Sequence, residues 1–361
     1  MIVTDLHLRN FRNYESEHLT LSSGLNLITG WNAQGKTNLL ESLVYLSLTR
    51  SHRVSSEIQL IRDGCAFADI GCTVVDAEEK KLRAVIHHGG HTLSVNQVPV
   101  KRSSEFVGLL NAVLFSPDDL GVFSDAPRER RRIMDQEISK LNASYVYQMN
   151  RYRNLLKERN TLLKSYQPDL AYLDVLDEQM IQEEIPIIRA RRAFAEAIND
   201  TIQGHYQDLS MDQAEACVVY QTSFAEEDLE KELRTLYQEN RSRDLDNHVT
   251  GIGVHRDDLV YMMNGKNVVL AASQGQKRLM MLAFKCSILD YIWKETGKSA
   301  VFLLDDVLSE LDMKRQVRLI ERIQKPYQCV ITATEVPAFL RDGTHKEFRI
   351  EHGHVLDGRN T

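Results

Sequence analysis

Gly30-Trp31-Asn32-Ala33-Gln34-Gly35-Lys36-Thr37 fits the pattern G-x-x-x-x-G-K-[ST] at every fixed position. The apolar stretch Leu25–Thr29 before it reads as a buried strand. Leu39, Leu40, Leu43 and Val44 after it have the spacing of a helix's buried stripe. A strand, a tight loop and a helix start form the setting in which this pattern has physical meaning. Glycines let the backbone wrap a chain of phosphates, and amides at the helix start aim their positive ends at it. The pattern therefore predicts binding of a nucleoside triphosphate. Lys36 reaches its β- and γ-phosphates, and Thr37 gives its hydroxyl to Mg²⁺.

The 361 residues are enough for a substantial core and for two domains. No apolar run approaches the length of a membrane span, and Asp5, His7, Arg9 and Arg12 make the start too charged for a secretion signal. Cys65, Cys72, Cys217, Cys286 and Cys329 are dispersed without a C-x-x-C pair. They read as reduced thiols of a cytoplasmic protein rather than a disulfide frame or zinc site. A net charge of -7 means that any nucleic-acid surface must be local. One basic excess exists, between Arg128 and Arg159, where nine Lys/Arg face four Asp/Glu.

Short apolar strands at 2–8, 25–29, 68–75, 81–87 and 112–115 alternate with turns in the first 120 residues. After Pro127 the chain becomes rich in Leu, Arg, Glu, Gln and Ala, broken by Gln167-Pro168-Asp169. This predicts an antiparallel hairpin of two long helices, about 128–166 and 169–208, the second kinked at Pro186. Strand texture returns at 217–221 and again over 259–270, with Asn264-Gly265-Lys266-Asn267 as a hairpin turn. The organisation expected is α/β. An N-terminal half at 1–120 and a C-terminal half at 211–361 make one head, split by a helical lobe at 121–210.

Val301-Phe302-Leu303-Leu304-Asp305-Asp306 reads as a buried parallel strand ending in two carboxylates. Such a strand is expected beside the loop-bearing one, with Asp305 supporting Mg²⁺. Asp306 is then placed to orient or deprotonate the attacking water. Upstream, Ser273-Gln274-Gly275-Gln276 opens a helix whose buried stripe is Leu279, Leu282, Ala283, Cys286 and Leu289. Taken alone, Ser273 is a helix N-cap. Ser309-Glu310-Leu311-Asp312 follows the carboxylates.

In this order the phosphate loop, S-x-G-Q, Asp-Asp and S-x-L-D resemble the ATP-binding-cassette ATPases, with a helical insertion similar to that of structural-maintenance-of-chromosomes heads. Leu6 to Tyr14, Leu48 to Arg53, Phe115 to Leu120, Pro127 to Asp135 and Gly253 to Leu259 resemble the RecF family, bacterial recombination-mediator ATPases, over essentially the whole chain. Val254 stands where that family's turn usually has proline. The resemblance implies an ATP-binding-cassette head with an inserted α-helical lobe. Two copies would stack head to tail, with ATP between Lys36 of one and Ser273, Gly275 and Gln276 of the other. Ser309 and Asp312 would couple the two sites at the seam. It also implies binding of single-stranded, double-stranded and gapped DNA, with work alongside RecR, RecO and RecA in repair, replication and the damage (SOS) response.

Arg50, His52 and Arg53, in a basic loop after the phosphate-loop helix, and Arg128, Arg130, Arg131 and Arg132, on the first turns of the helical lobe, are candidate DNA contacts. Four arginines in five residues cannot share one helix face, so some are surface or internal ion-pair partners. Without interleaved aromatics, such contacts would read the backbone without sequence preference. His255, Arg256, Asp257 and Asp258 read as a structural turn. Arg12 and Asn13 are candidates to touch the nucleotide. Asp118 stands where related ATPases carry a glutamine, and Thr332 or Thr334 where transporter cassettes carry a γ-phosphate-sensing histidine. That difference, and an aspartate at 306, predict slow hydrolysis. A transporter's ATP-binding subunit and a single-chain phosphate-loop kinase are the competing readings.

Overall fold

The computed structural model describes residues 1–124, 126–224, 228–323, 327–341 and 343–356. The chain divides into two compact units. The first contains Met1–Leu120, Gly204–Gln213 and the chain from Met281 onward; the second contains Gly121–Gln203 and Ala214–Met280. The second unit is thus larger than the lobe expected at 121–210, because 214–280 groups with the helices.

The centre of the first unit is a six-stranded sheet. Its order is His354–Leu356, Lys346–Glu351, Leu25–Thr29, Gln328–Ala333, Val301–Leu304 and Ala112–Phe115. All neighbours are parallel except the antiparallel edge pair of the last two chain segments. Every residue of Leu25–Thr29, Val301–Leu304 and Gln328–Ala333 is buried, as expected where both faces of a parallel sheet are covered. One expectation is corrected here. Val301–Leu304 does not lie beside the loop-bearing strand, because Gln328–Ala333 is inserted between them.

A second, antiparallel sheet runs Tyr14–Thr20, Ile2–Phe11, Phe67–Val75, Glu79–His87, Gly90–Val95, Val98–Pro99. Helix Lys36–Leu48 is packed against both sheets. Its Leu39, Leu40 and Leu43 share one core cluster with Leu6, Ile70 and Ile86 of the antiparallel sheet and Ile28, Leu303 and Val330 of the parallel one. Ten of its 13 residues are buried, so tertiary burial rather than an amphipathic stripe fixes the helix that follows the phosphate loop.

In the second unit the first expected long helix is two, Pro127–Leu141 and Ala143–Leu163. Asn142 leaves helical geometry between them (φ −130°) and its side chain accepts from Tyr145 N at 3.0 Å, a cap that starts the second helix as the first ends. Leu170–Asn199 follows, capped by Asp169 and continuous through Pro186, and it packs along Ala143–Leu163. It ends at Asn199, and Ile202–Ser210 is a separate helix whose residues from Gly204 onward group with the first unit. A further helix, Leu229–Asn247, which the sequence pattern does not announce, packs on Leu170–Asn199. Ala216–Gln221, Asp258–Met263 and Lys266–Asn267 form a three-stranded antiparallel sheet. Asn264 and Gly265 (φ 49° and 71°) make the tight turn. The expected strand stops there, since Val268–Ala271 is a short helix capped by Asn267.

Candidate nucleotide site

Leu25–Thr29 delivers the loop Gly30 to Gly35 to the start of helix Lys36–Leu48. Ala33 (φ 65°) and Gly35 (φ 117°) take left-handed conformations. A Cβ on Gly35 would stand 2.6 Å from Asn13 Nδ2, so this glycine is needed for space as well as for its torsion. Lys36 Nζ donates to the carbonyls of Gly30 (2.6 Å) and Trp31 (3.1 Å). Burial lowers the pKa of this ammonium, while the charges of Asp306 and Asp305 oppose the fall. Trp31, Asn32 and Ala33 are exposed.

The first hairpin braces the loop from behind. Asn13 Nδ2 donates to Gln34 O, Asn38 Nδ2 donates to Asn13 Oδ1, both at 2.8 Å, and Tyr14 Oη donates to Gly35 O at 2.9 Å. Arg12 is held by the buried Glu41 (Nε 2.9 Å, Nη2 2.8 Å) and by Gln59 O. Burial raises the Glu41 pKa, but hydrogen bonds from Arg12 and Ser51 and the charges of Arg12 and Arg53 outweigh it, leaving the carboxyl below its ordinary value. The loop 50–53 is folded onto the same helix turn. Ser51 Oγ donates to Glu41, and Arg53 Nη1 donates to Asn38 Oδ1 at 2.9 Å while half-exposed. Arg50 is exposed. His52 is half-buried, with its Nδ1 buried and unpartnered. Burial lowers its pKa against the pull of Glu41, Asp119 and Asp305.

Asp305 and Asp306 follow Val301–Leu304 and face the loop's end. Thr37 Oγ1 donates to Asp305 Oδ1 at 3.1 Å. Thr332, on the inserted strand, donates to the same oxygen at 2.7 Å and accepts from Asp306 N at 2.8 Å. Asp306 is left-handed (φ 49°), and its Oδ1 is buried with no hydrogen-bond partner. A strained residue with an orphaned buried carboxylate oxygen has the chemistry of a group that directs a water or a metal. Among the described residues no three His, Cys, Asp or Glu cluster as a metal cage. A hydroxyl and a carboxylate suit Mg²⁺, which takes its other ligands from phosphates and water. Thr334 is exposed and takes no part. Asp118 is also exposed; its neighbour Asp119 is the engaged one, accepting from Lys285 Nζ (2.9 Å) and from Ser116 N (2.8 Å). Nothing in the sequence distinguishes Asp119 from Asp118 beside it.

Ser273 and Gln276 form a reciprocal capping box at the start of helix Gln274–Thr296. Ser273 N donates to Gln276 Oε1 (2.9 Å), and Gln276 N donates to Ser273 Oγ (3.3 Å). Ser273 and Gly275 are exposed, and among the described residues nothing lies within 4 Å of a Cβ placed on Gly275. Ser309 Oγ donates to Asp306 O at 2.8 Å. Asp312 caps helix Met313–Ile323 through Arg315 N and pairs with Arg315 Nη1; both Ser309 and Asp312 are exposed.

The second basic group requires a correction. Arg130 is buried, with Nε and Nη2 each 2.8 Å from the Asp258 carboxylate and Nη1 on Val122 O, so it holds the second unit together and offers nothing to a phosphate. Arg131 is half-buried on the Asp257 carbonyl. Arg132 pairs with Glu129, and Arg128 is exposed. Asp257 accepts from Arg191 and Tyr220, and His255 sits between Tyr152 Oη (2.6 Å) and Thr250 O (3.1 Å). The turn 255–258 is therefore an internal brace.

A parallel sheet carrying a phosphate loop, an antiparallel sheet beside it and a capped helix start after an inserted helical unit define an ATP-binding-cassette-type ATPase head. The family model for the RecF/RecN/SMC N terminal domain matches residues 2–352. DNA replication and repair protein RecF of Enterococcus faecalis (strain ATCC 700802 / V583) is 38% identical over 352 residues, 93% of each chain. The structure of the recombination mediator protein RecF-ATPrS in the RecFOR pathway superposes with a TM-score of 0.89 at 30% identity, covering 98% of this chain and 97% of that one. The Smc head domain of Pyrococcus furiosus shares the fold, with a TM-score of 0.60 at 17% identity over 99% and 96% of the two chains. The chain belongs to the RecF family.

Proposed function

We propose that this chain is an ATP-driven switch of DNA replication and repair, in which two copies close head to tail on Mg²⁺-ATP and reopen after slow hydrolysis. The observation that carries the reading is the link from Thr37 through Asp305 to Thr332 and Asp306, which gathers the phosphate loop, the Asp305 carboxylate and the Asp306 backbone into one hydrogen-bonded group. In the proposed cycle Gly30 to Thr37 wrap the phosphates, and Lys36 exchanges its two neutral carbonyl partners for phosphate oxygens. Thr37 and Asp305 would hold Mg²⁺, whose contribution is to neutralise charge on the β- and γ-oxygens. Asp306 orients the attacking water and takes its proton.

Gly275 supports the head-to-tail geometry. Among the described residues nothing requires a glycine there, whereas close approach of a second copy would. The start of a 23-residue helix favours a γ-phosphate and gains nothing from a diphosphate, so closure would depend on ATP. Ser309 and Asp312, both exposed, would lie at the seam.

The exposed Arg50 and Arg128 and the half-exposed Arg53 are the proposed backbone contacts to single-stranded, double-stranded and gapped DNA, including junctions between them. We extend the reading to partnership with RecR, and with RecO and RecA in the same pathway, and to a role in the SOS response in the cytoplasm; membership of the RecF family supports it. Among the described residues no helix is long and apolar enough to cross a membrane.

The test is the solution mass of Asp306→Asn by light scattering, with and without Mg²⁺-ATP. Asparagine tolerates the left-handed backbone at 306, so the substitution removes the base without straining the turn. A monomer that becomes a dimer only with ATP is expected. A protein that binds ATP and stays monomeric would overturn the head-to-tail mechanism.

A further inference from the structure

His352-Gly353, the turn between the strands Lys346–Glu351 and His354–Leu356, lies on the phosphate loop some 320 residues away in sequence. Both turn residues are left-handed (φ 50° and 77°). Gly353 N donates to Gln34 O at 3.1 Å, and His352 N donates to the Gln34 side-chain oxygen at 2.5 Å. Gln34 O accepts a second bond, from Asn13 Nδ2 at 2.8 Å. The fit leaves no slack. A Cβ on Gly353 would stand 2.5 Å from Asn13 O, and at the loop's other end a Cβ on Gly30 would stand 2.4 Å from Ile350 O. On its far side the hairpin is tied to Glu17, whose carboxylate meets His354 Nδ1 at 2.9 Å and Val355 N at 3.0 Å.

The consequence follows from peptide geometry. In a trans peptide the carbonyl of residue 34 and the N–H of residue 35 point in opposite directions. Two donors that hold Gln34 O away from the loop's mouth therefore hold Gly35 N–H toward it. A phosphate loop binds anions only when its amides converge and its carbonyls face out.

We infer that the His352-Gly353 turn is a positioning element of the nucleotide site, which fixes the direction of the Gly35 amide through its grip on Gln34. This inference rests on the nucleotide reading of the loop. It touches no phosphate itself, and it acts equally on nucleoside di- and triphosphates.

The experiment measures dissociation constants, binding stoichiometry and melting temperature for ATP and ADP with the full chain, Gly353→Ala and Gln34→Ala. Gly353→Ala drives a methyl group into backbone at a left-handed position, whereas Gln34→Ala deletes only the bond to His352 N and leaves the fold intact. Each variant is expected to weaken both nucleotides, Gln34→Ala by about three- to tenfold for one lost hydrogen bond and Gly353→Ala by more. Stoichiometry should stay that of the native chain, with the melting temperature of Gln34→Ala unchanged. The double variant should be no weaker than Gly353→Ala alone, since both act on one grip. A purely structural role would instead lower stoichiometry and melting temperature at an unchanged dissociation constant, and that result overturns the inference. So does native affinity in Gln34→Ala, whether or not Gly353→Ala folds. A native chain that binds neither nucleotide would remove the nucleotide reading itself, and this inference with it.

Discussion

Thr332 Oγ1 donates to Asp305 Oδ1 at 2.7 Å from the strand inserted between the phosphate-loop strand and the aspartate strand. The same hydroxyl accepts from Asp306 N at 2.8 Å, so one buried threonine fixes the carboxylate proposed for Mg²⁺ and the backbone of the one proposed for water. Thr332→Val keeps the shape and removes both bonds. It should cost about 1–3 kcal/mol of stability, measured by chemical denaturation. Turnover should fall by about tenfold or more through misplacement of Asp306, while ATP affinity stays close to native because Lys36 and the loop are untouched. Equal losses in affinity and turnover would show that Thr332 supports the loop rather than the carboxylates.

The arginines at 128 and 130 should separate cleanly. Arg130→Ala leaves Asp258 with a half-buried charge and no guanidinium, a change of about 3–5 kcal/mol when a buried pair is broken from one side. Arg128→Ala at an exposed position should stay within about 0.5 kcal/mol of native stability. If Arg128 contacts DNA phosphates, its loss weakens binding uniformly across sequences and reduces the slope of log affinity against log salt by about one. An unchanged slope removes Arg128 from the DNA surface.

Glu184 gives the second unit a pH dependence with a definite sign. The side chain is fully buried, accepting from Val254 N (3.1 Å) and Tyr237 Oη (3.3 Å) beside Tyr152 and Gly253. Burial pushes its pKa up to about 8. The folded state therefore holds a proton that the unfolded state has released between the ordinary value of 4.5 and about 8, and stability falls as pH rises through that window. His255 acts oppositely. Burial lowers its pKa from 6.5 to about 4, so stability rises with pH between those values. The two slopes oppose each other between pH 4.5 and 6.5, and of the two only Glu184 contributes from there to about 8. Denaturant midpoints should decline from pH 6.5 to 8, and Glu184→Gln should flatten that decline. A decline that survives the substitution would assign it to another group.

What the sequence made legible was local. Gly30 to Thr37 and the pair Asp305-Asp306 announce themselves within a few residues, because a tight loop and a strand end impose their chemistry on neighbouring positions. Thr332 acquires its role only through pairing across the sheet, and Gln34 only through a turn near the other end of the chain. Neither relationship leaves a periodic trace. Arg130 and Arg128 look alike in a row of arginines, and only the position of Asp258 on a distant strand tells the buried one from the exposed one. Asn142 ends one helix and caps the next within a run of good helix formers, so the break was hidden. Helix Leu229–Asn247 was missed because its polar composition shows little of the apolar stripe by which helices are read.

Ser273 has two possible duties, capping its helix and facing a γ-phosphate across a dimer, and one substitution separates them. Aspartate is as good an N-cap as serine, so Ser273→Asp should keep the capping box and the native unfolding midpoint. Its carboxylate, however, would set a negative charge against the phosphate at the helix start. Ser273→Ala does the reverse, losing about 1 kcal/mol of cap without adding repulsion. In the Asp306→Asn background, light scattering should show that Ser273→Asp abolishes the ATP-driven dimer at unchanged single-chain ATP affinity, whereas Ser273→Ala only weakens it. If Ser273→Asp dimerises with ATP as readily as its parent, the helix start lies away from the nucleotide. Ser273 is then the cap its hydrogen bonds describe and nothing more.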